Sequence, residues 1–240
     1  MSKGIFIIGT DTDVGKTVVS AGLMHLLLKN KYSAAYFKPV ASGEIILDGT
    51  AQAADAAFIN TVSGFSEDQN NITPFAFKNA VSPHLASRME KKAIDFSVIK
   101  DRLQYLKKHY ELIIAEGAGG LIVPFNDNGF MQYDLIRKLG FPCLLVARTG
   151  LGTINHILLT LAFARSQGIK IKGIVMNGFD NTLIEKDNIE TITKLSGITP
   201  IITVPKLTGV NTEKLQSGNI SEVFEKIINP DEIISFTETI

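Results

Sequence analysis

The sequence predicts an α/β fold: a mostly parallel sheet with helices on both faces. Three observations lead there. Short β-branched runs alternate with longer amphipathic stretches along the chain, the signature of strands joined by helical crossovers. Most of those runs lack polar alternation, as strands do when helices cover both of their faces. The first run, Ile5–Ile8, passes through a glycine-containing turn straight into a helix-like stretch headed by Lys16-Thr17, the layout of a phosphate-binding loop.

In chain order, the strand Ile5–Ile8 is followed by a helix over Lys16–Lys29. The strand Ala34–Lys38 runs into Pro39, which keeps Lys38 extended. Helices are predicted over Ala51–Thr61, over Pro83–Lys91, where Ser82 reads as N-cap and Pro83 as first helical residue, and over Asp95–Lys108. The apolar run Leu112–Glu116 is a strand, and the helix Phe130–Leu139 comes after it. Cys143–Ala147 reads as a buried strand, and Thr153–Gln167 as a helix. Ile171–Asn177, Leu183–Ser196, Ile201–Val204 and Ile220–Ile228 complete the alternation as strand, helix, strand and helix. Ala41–Ser82 and Gly117–Gly129 read as long non-strand stretches leaving the carboxyl ends of strands, the natural places for function. No repeat, low-complexity tract or Pro/Gly-rich linker divides the chain, so one domain over residues 1–240 is expected.

Bulk properties exclude several classes. With 24 basic and 24 acidic residues, no global field draws the chain to nucleic acid or to an anionic membrane. The pairs Lys91-Lys92 and Lys107-Lys108 sit on helix-like segments and read as solvated faces. The single cysteine, Cys143, supports neither a disulfide framework nor a cysteine-based metal site, and in its apolar run it acts as a small filler. No apolar run is long enough to span a bilayer, and Ile5–Ile8 is too short for a signal peptide. The expected compartment is the cytoplasm.

The loop Gly9-Thr10-Asp11-Thr12-Asp13-Val14-Gly15-Lys16-Thr17 carries the chemistry most specifically. Free N–H groups and the positive dipole end at a helix start face a polyphosphate. Lys16 supplies a point charge for the β/γ-phosphates, and Thr17 a hydroxyl for Mg²⁺. Against the pattern G-x-x-x-x-G-K-[ST], Thr10 stands where the first glycine belongs and Gly9 lies one residue earlier. Asp11 and Asp13 place two acids close to the phosphates. Thr and Asp are also ordinary turn residues, but strand, glycine, lysine and threonine agree on a nucleoside triphosphate and a P-loop NTPase-like fold.

Other candidates follow from position. On residue type alone Lys38 is a surface lysine at a strand end. In a parallel sheet it emerges beside the P-loop, where a second cation stabilises a transferring phosphoryl group. The small residues Val40-Ala41-Ser42-Gly43 after it suit close ligand approach. Glu116 is either an acid capping a tight turn or a Mg²⁺ ligand at the end of a buried strand, and Gly117-Ala118-Gly119-Gly120 after it lets backbone approach a ligand. Asp55, in the helical window Ala51–Ile59, completes an oxygen-only cluster with Thr17 and Glu116. His84 reads as an ordinary half-buried histidine. Gly150-Leu151-Gly152-Thr153-Ile154-Asn155-His156 opens a helix whose N–H groups suit a carboxylate.

Taken together, the P-loop block, Lys38-Pro39-Val40-Ala41-Ser42-Gly43, Ser82-Pro83-His84, Glu116-Gly117-Ala118-Gly119-Gly120 and Leu151-Gly152-Thr153-Ile154-Asn155-His156 resemble the dethiobiotin synthetase family in order and spacing. The resemblance implies an ATP-dependent cyclo-ligase that closes 7,8-diaminononanoate and CO₂ into dethiobiotin, through a carbamate and its mixed anhydride with phosphate. It implies that Asp13, Val14, Gly15, Lys16, Thr17 and Val18 wrap the ATP phosphates, joined by Gly117, Ala118 and Gly119, and that Thr17, Asp55 and Glu116 form the Mg²⁺ shell. Lys38 takes the place of the catalytic lysine, with Lys16 beside it, and Thr12 and Ser42 contact substrate. Asn177 and Gly178 take the adenine reader's place, with Pro205, Lys206 and Leu207 flanking the base. The family is a homodimer, so Gly152, Thr153 and Asn155 would meet the substrate carboxylate from the neighbouring chain. Asp13 stands where several members have glutamate and Lys206 where others have an aromatic residue, and the match fades from about Thr208 onward.

Two rivals remain on sequence grounds. An amidotransferase-type cobyrinate amidating ligase needs a glutaminase domain and a nucleophilic cysteine, for which this chain has no room. A partition- or switch-type ATPase usually carries a second lysine early in its P-loop, where this chain has Thr10-Asp11-Thr12.

Overall fold

The apolar run near the start of the chain becomes a middle strand of the central sheet. The computed structural model describes residues 1–47 and 49–240. The chain opens with β1 (Lys3–Gly9), α1 (Lys16–Lys29), β2 (Ala34–Phe37), β3 (Val40–Ser42), β4 (Glu44–Leu47), β5 (Thr50–Ala53) and α2 (Ala54–Ser63). It continues through α3 (Gln69–Ile72), β6 (Phe75–Phe77), α4 (Pro83–Met89), α5 (Phe96–His109), β7 (Leu112–Glu116), α6 (Gln132–Leu139) and β8 (Cys143–Arg148). The last third holds α7 (Thr153–Ser166), β9 (Ile171–Phe179), α8 (Leu183–Ser196), β10 (Ile201–Pro205), β11 (Val210–Asn211), β12 (Gln216–Ser217), α9 (Ile220–Ile227), α10 (Pro230–Phe236) and β13 (Glu238–Thr239).

Among the described residues the central sheet has seven strands, ordered β10-β9-β8-β1-β7-β2, with β13 paired to β1. The six ordered strands run parallel. β13 is antiparallel and fits a gap. β7 takes one edge of β1 from Lys3 onward, whereas β8 begins on the other only at Phe6, so Lys3 and Gly4 are left for Thr239 and Glu238. Every residue of β2 and β7 is buried, which requires cover on both faces. Fully burying each Leu, Ile or Phe side chain contributes roughly 1.5–3 kcal/mol, so these two strands tie the helical layers to the sheet. α1 packs against α2 and α9, and α7 against α8.

Because the six strands are parallel, their carboxyl ends share one edge, and the strand order reverses at β1. That crevice is where open α/β sheets bind ligands. Gly9, Lys38 and Glu116 all emerge there, directly at or after the ends of β1, β2 and β7.

The stretch from Ala41 to Ser82 departs from the expectation of a strand-free segment. It contains the hairpin β4–β5 and the parallel pair β3–β6. These strands are three or four residues long and pair only in twos, so no extended period marks them in sequence. The helix expected from Ala51 begins instead at Ala54, because Ala51–Ala53 pair with Glu44–Ile46. That cross-strand ladder overrides alanine's helix preference. Ser82 occupies the N-cap position of α4, but among the described residues its side chain makes no capping bond. The C-terminal α10 and β13 lack the length that makes an element legible. Cys143 is fully buried, and burial pushes its thiol pKa up. Among the described residues no helix is long and apolar enough to cross a membrane.

Candidate active site

The P-loop is shaped by two glycines. A Cβ on Gly9 would lie 2.6 Å from the Asp11 carbonyl and 2.8 Å from Val14 Cγ2, so the close approach falls on Gly9, one residue before the consensus glycine. Gly15 is left-handed at φ 94° and forms the N-cap of α1 without a side-chain cap, which leaves the first-turn N–H groups available to an anion. Asp13 also has positive φ, 56°, which a short polar residue tolerates. Asp11 serves its own turn, accepting from the Thr12 N–H at 2.7 Å. Lys16 is buried and donates from Nζ to the Asp11 carbonyl at 3.0 Å. Burial, with the Lys38 charge nearby, holds its pKa below the ordinary lysine value.

Four polar side chains from four different elements or their flanks meet beside that loop. Thr17 Oγ1 lies 2.9 Å from Asp55 Oδ1 and 2.9 Å from Glu116 Oε1. Lys38 Nζ lies 2.7 Å from Asp55 Oδ2, 2.8 Å from Glu116 Oε1 and 3.2 Å from the Gly117 carbonyl. Burial pulls the Lys38 pKa down, but the two carboxylates outweigh it and the net shift is upward. Burial pushes Asp55 up, and Lys38 and Thr17 reverse that to a net lowering. The buried Tyr36 hydroxyl donates to Glu116 Oε2 at 3.0 Å.

The donor set fits a divalent cation such as Mg²⁺. The Thr17 hydroxyl has one proton, so it satisfies only one of the two carboxylate oxygens it touches. The other contact sets two oxygen lone pairs against each other, which a hard cation relieves and for which it prefers oxygen ligands.

These residues line a cavity of about 1030 Å³. Thr12, Asp13, Gly15 and Val18 border it with Lys16 and Thr17, and Ser42, Ala118 and Gly119 join Lys38, Asp55 and Glu116. Gly117 is held behind them, its backbone packed against Gln132. The remaining sequence candidates lie elsewhere. Val14 and Thr153 line a separate cleft of about 140 Å³ with Arg148 and His156. Gly152 caps α7 in the left-handed region, and Thr153 Oγ1 donates to the Arg148 carbonyl at 2.6 Å. Gly152 and Asn155 border neither cavity. Asn177 is set against the P-loop, donating from Nδ2 to the Val14 carbonyl at 3.0 Å. The Gly178 carbonyl accepts from Thr149 Oγ1. Pro205 ends β10 opposite Phe179, Lys206 Nζ lies 3.8 Å from Asp180 Oδ2, and Leu207 packs on the core. His84 is half-buried, and its Nδ1 has no partner among the described residues.

Several contributors escaped the sequence reading. Val210, Asn211, Thr212 and Glu213, from the β11–β12 hairpin, line the main cavity although that part of the chain carries no motif. Gln132 is fully buried and holds the turn after Glu116: its Oε1 accepts from the Ala118 N–H and its Nε2 donates to the Gly120 carbonyl, both at 2.6 Å. Glu185 pins the loops after β8 and β9, accepting from Thr149 Oγ1 at 2.6 Å, Thr182 Oγ1 at 2.8 Å and the Asp180 N–H at 3.1 Å. The one available signal for Tyr36 was a polar tip within the apolar strand Ala34–Phe37.

The parallel sheet, the phosphate loop at the end of β1 and the cations and acids around it define a P-loop NTPase. Solved structures agree on the fold. The cell-division ATPase MinD of Pyrococcus furiosus superposes with a TM-score of 0.63 at 16% identity, covering 98% of this chain and 99% of that one. MinD from Pyrococcus horikoshii, complexed with Mg-ADP, gives 0.62 at 14% identity, with 97% and 96% covered. At such identities the likeness is one of fold alone. A family model described as an AAA domain matches residues 3–214. ATP-dependent dethiobiotin synthetase BioD of Clostridium kluyveri is 40% identical over 241 residues, 99% of each chain. Its counterpart in Clostridium acetobutylicum is 43% identical over 205 residues, 84% of this chain and 85% of that protein. The chain belongs to the dethiobiotin synthetase family.

Proposed function

We propose that the whole chain, residues 1–240, works as one ATP-dependent cyclo-ligase domain that makes dethiobiotin, a step of biotin biosynthesis. The substrates are 7,8-diaminononanoate, CO₂ and ATP. The observation that carries this reading is the convergence of Lys16, Lys38, Thr17, Asp55 and Glu116 on one rim of a cavity in a chain of this family.

One amine of the substrate captures CO₂ as a carbamate and releases a proton. A carbamate oxygen then attacks the γ-phosphorus of ATP, forming the mixed anhydride and expelling ADP. The second amine attacks the anhydride carbonyl and gives up a proton as phosphate leaves, and the cyclic urea remains. No protein nucleophile is needed, so the residues act by placement and charge. The P-loop N–H groups of Asp13 to Val18 and the Lys16 ammonium hold the phosphates. Lys38 stays protonated beside Asp55 and Glu116 and offers positive charge to the transferring phosphoryl group. Thr17, Asp55 and Glu116 would hold Mg²⁺, which neutralises charge on the β- and γ-phosphates. Gly117, Ala118 and Gly119 bring backbone to the nucleotide, while Thr12 and Ser42 orient the diamine.

Asn177 and Gly178, with Pro205, Lys206 and Leu207, are assigned to the base side of ATP. Gly152, Thr153 and Asn155 are assigned to the substrate carboxylate across a homodimer. Their position outside the main cavity of their own chain supports that assignment. The compartment this reading assigns to the enzyme is the cytoplasm.

The test is mass detection of dethiobiotin from diaminononanoate, bicarbonate and MgATP. Product formation with ATP turnover dependent on both co-substrates is the expected result. ATP turnover indifferent to diaminononanoate and bicarbonate would sink the ligase reading and favour a nucleotide switch.

A further inference from the structure

Glu116 divides its two oxygens between different tasks. Oε1 faces Thr17 Oγ1 at 2.9 Å and Lys38 Nζ at 2.8 Å. Oε2 accepts one hydrogen bond among the described residues, from the Tyr36 hydroxyl at 3.0 Å. Glu116 and Tyr36 are both fully buried, so no solvent is at hand to replace that bond.

The pairing of β2 with β7 explains why this tyrosine reaches. Tyr36 stands opposite Ile114 and Phe37 opposite Ala115. Residues two apart on a strand share a face, so Glu116 projects on the same side as Ile114 and therefore as Tyr36. The phenol ring spans the two-residue offset and sets its hydroxyl on the carboxylate. A terminal carboxylate torsion has broad wells, so an anchored Oε2 is what fixes the direction of Oε1.

We propose that Tyr36 is a positioning residue for the reaction: it pins Glu116 so that Oε1 is presented to Thr17, Lys38 and the divalent ion. The proposal rests on the reading of Glu116 as an ion ligand. It assigns the reaction a residue outside the sequence motifs, one that touches neither substrate nor nucleotide.

The decisive variant is Tyr36→Phe, which removes one oxygen and keeps the ring. The readout is the Mg²⁺ concentration giving half of the thermal stabilisation by ADP, measured without turnover. Partners that orient metal ligands affect metal affinity by about 10–100-fold, and an increase of that order in the Mg²⁺ requirement is expected, with metal-free ADP affinity unchanged. In a Glu116→Gln background the same change should add little, since Tyr36 acts through Glu116. An unchanged Mg²⁺ requirement in Y36F, or full additivity with E116Q, overturns the proposal. Should Y36F fold too poorly to titrate, the wild-type chain labelled with ¹³Cζ-tyrosine decides: the Tyr36 signal should move when Mg²⁺ joins the ADP complex, and a static signal overturns the proposal. A wild-type chain whose ADP affinity ignores Mg²⁺ overturns both the proposal and the ion reading. One that binds MgADP but forms no dethiobiotin overturns the ligase reading alone.

Discussion

Asn177 fills the space that a side chain on Gly15 would need. A Cβ built on Gly15 would lie 2.0 Å from Asn177 Nδ2, the nitrogen that also donates to the Val14 carbonyl at 3.0 Å. Asn177, near the carboxyl end of β9, thus buttresses the phosphate loop of β1 from behind, across the intervening β8. The P-loop conformation depends on a contact that no local motif contains.

Gly15→Ala should therefore cost more than its backbone strain. At φ 94° the left-handed penalty alone is about 1–2 kcal/mol, and the Cβ must also displace Asn177. ATP affinity measured by calorimetry is expected to fall by at least about tenfold, the equivalent of 1.4 kcal/mol. Gly140→Ala is the control: its φ is 76° but nothing among the described residues lies within 4 Å of the added Cβ, and it borders neither cavity, so it should show the strain with nucleotide affinity unchanged. Equal nucleotide affinity in wild type and Gly15→Ala would remove the buttress.

Lys38→Ala should separate catalysis from binding. Loss of a charge aimed at the transferring phosphoryl group is expected to lower kcat by about 10²–10³-fold, with a milder loss of ATP affinity. Lys16→Ala should abolish both phosphate binding and turnover, because its ammonium sits inside the loop. Steady-state kinetics with direct nucleotide binding checks the pair, and unchanged turnover in Lys38→Ala refutes its role.

Glu116→Gln keeps the shape of the side chain and removes one charge from the oxygen cluster around Thr17. The Mg²⁺ requirement of turnover should rise, read as a rightward shift of the Mg²⁺ titration at saturating ATP. A superimposable titration takes Glu116 out of the ion's shell.

Glu185 predicts an acid limb of stability. Burial pushes its carboxyl up, but bonds from Thr149, Thr182 and Asp180 bring it down from 4.5 to about 2. A carboxylate with a depressed folded pKa stabilises the fold above its unfolded value and loses that contribution as pH falls through the folded one. Wild-type melting temperature should decline from about pH 4.5 toward pH 2 more steeply than that of Glu185→Gln, which has no proton to gain. Parallel curves for the two proteins would show that Glu185 is not the group responsible.

Much of the architecture was readable because burial leaves a local mark. Leu112–Glu116 is apolar up to its last residue since both of its faces are covered, and the observed strand has those same limits. The helices at Lys16–Lys29 and Leu183–Ser196 likewise carry their start and stop signals within a few residues. The hairpin β4–β5 carries none: Thr50–Ala53 reads as the beginning of a helix, and only pairing with Glu44–Leu47 makes it a strand. The β11–β12 hairpin is legible neither as structure nor as site, because two-residue strands show no period and its place over the cavity depends on packing. Among the site residues, Lys38 and Glu116 announce themselves at the ends of apolar runs, and Lys16 and Thr17 by the glycine-containing turn before them. Gln132 and Tyr36 do not, since their value lies wholly in the groups they touch.

What the sequence determined by itself was the kind of parts: apolar runs that must be buried strands, a loop that must expose N–H groups at a helix start, and cations and acids at strand ends. Those follow from short-range chemistry, in which a residue and its near neighbours suffice. The tertiary structure alone decided that Lys38 stands between Asp55 and Glu116, that Asn177 backs Gly15 and that Tyr36 holds the second oxygen of Glu116. Contacts between residues so distant in the chain are set by strand order and register, and these emerge only when the whole core is packed.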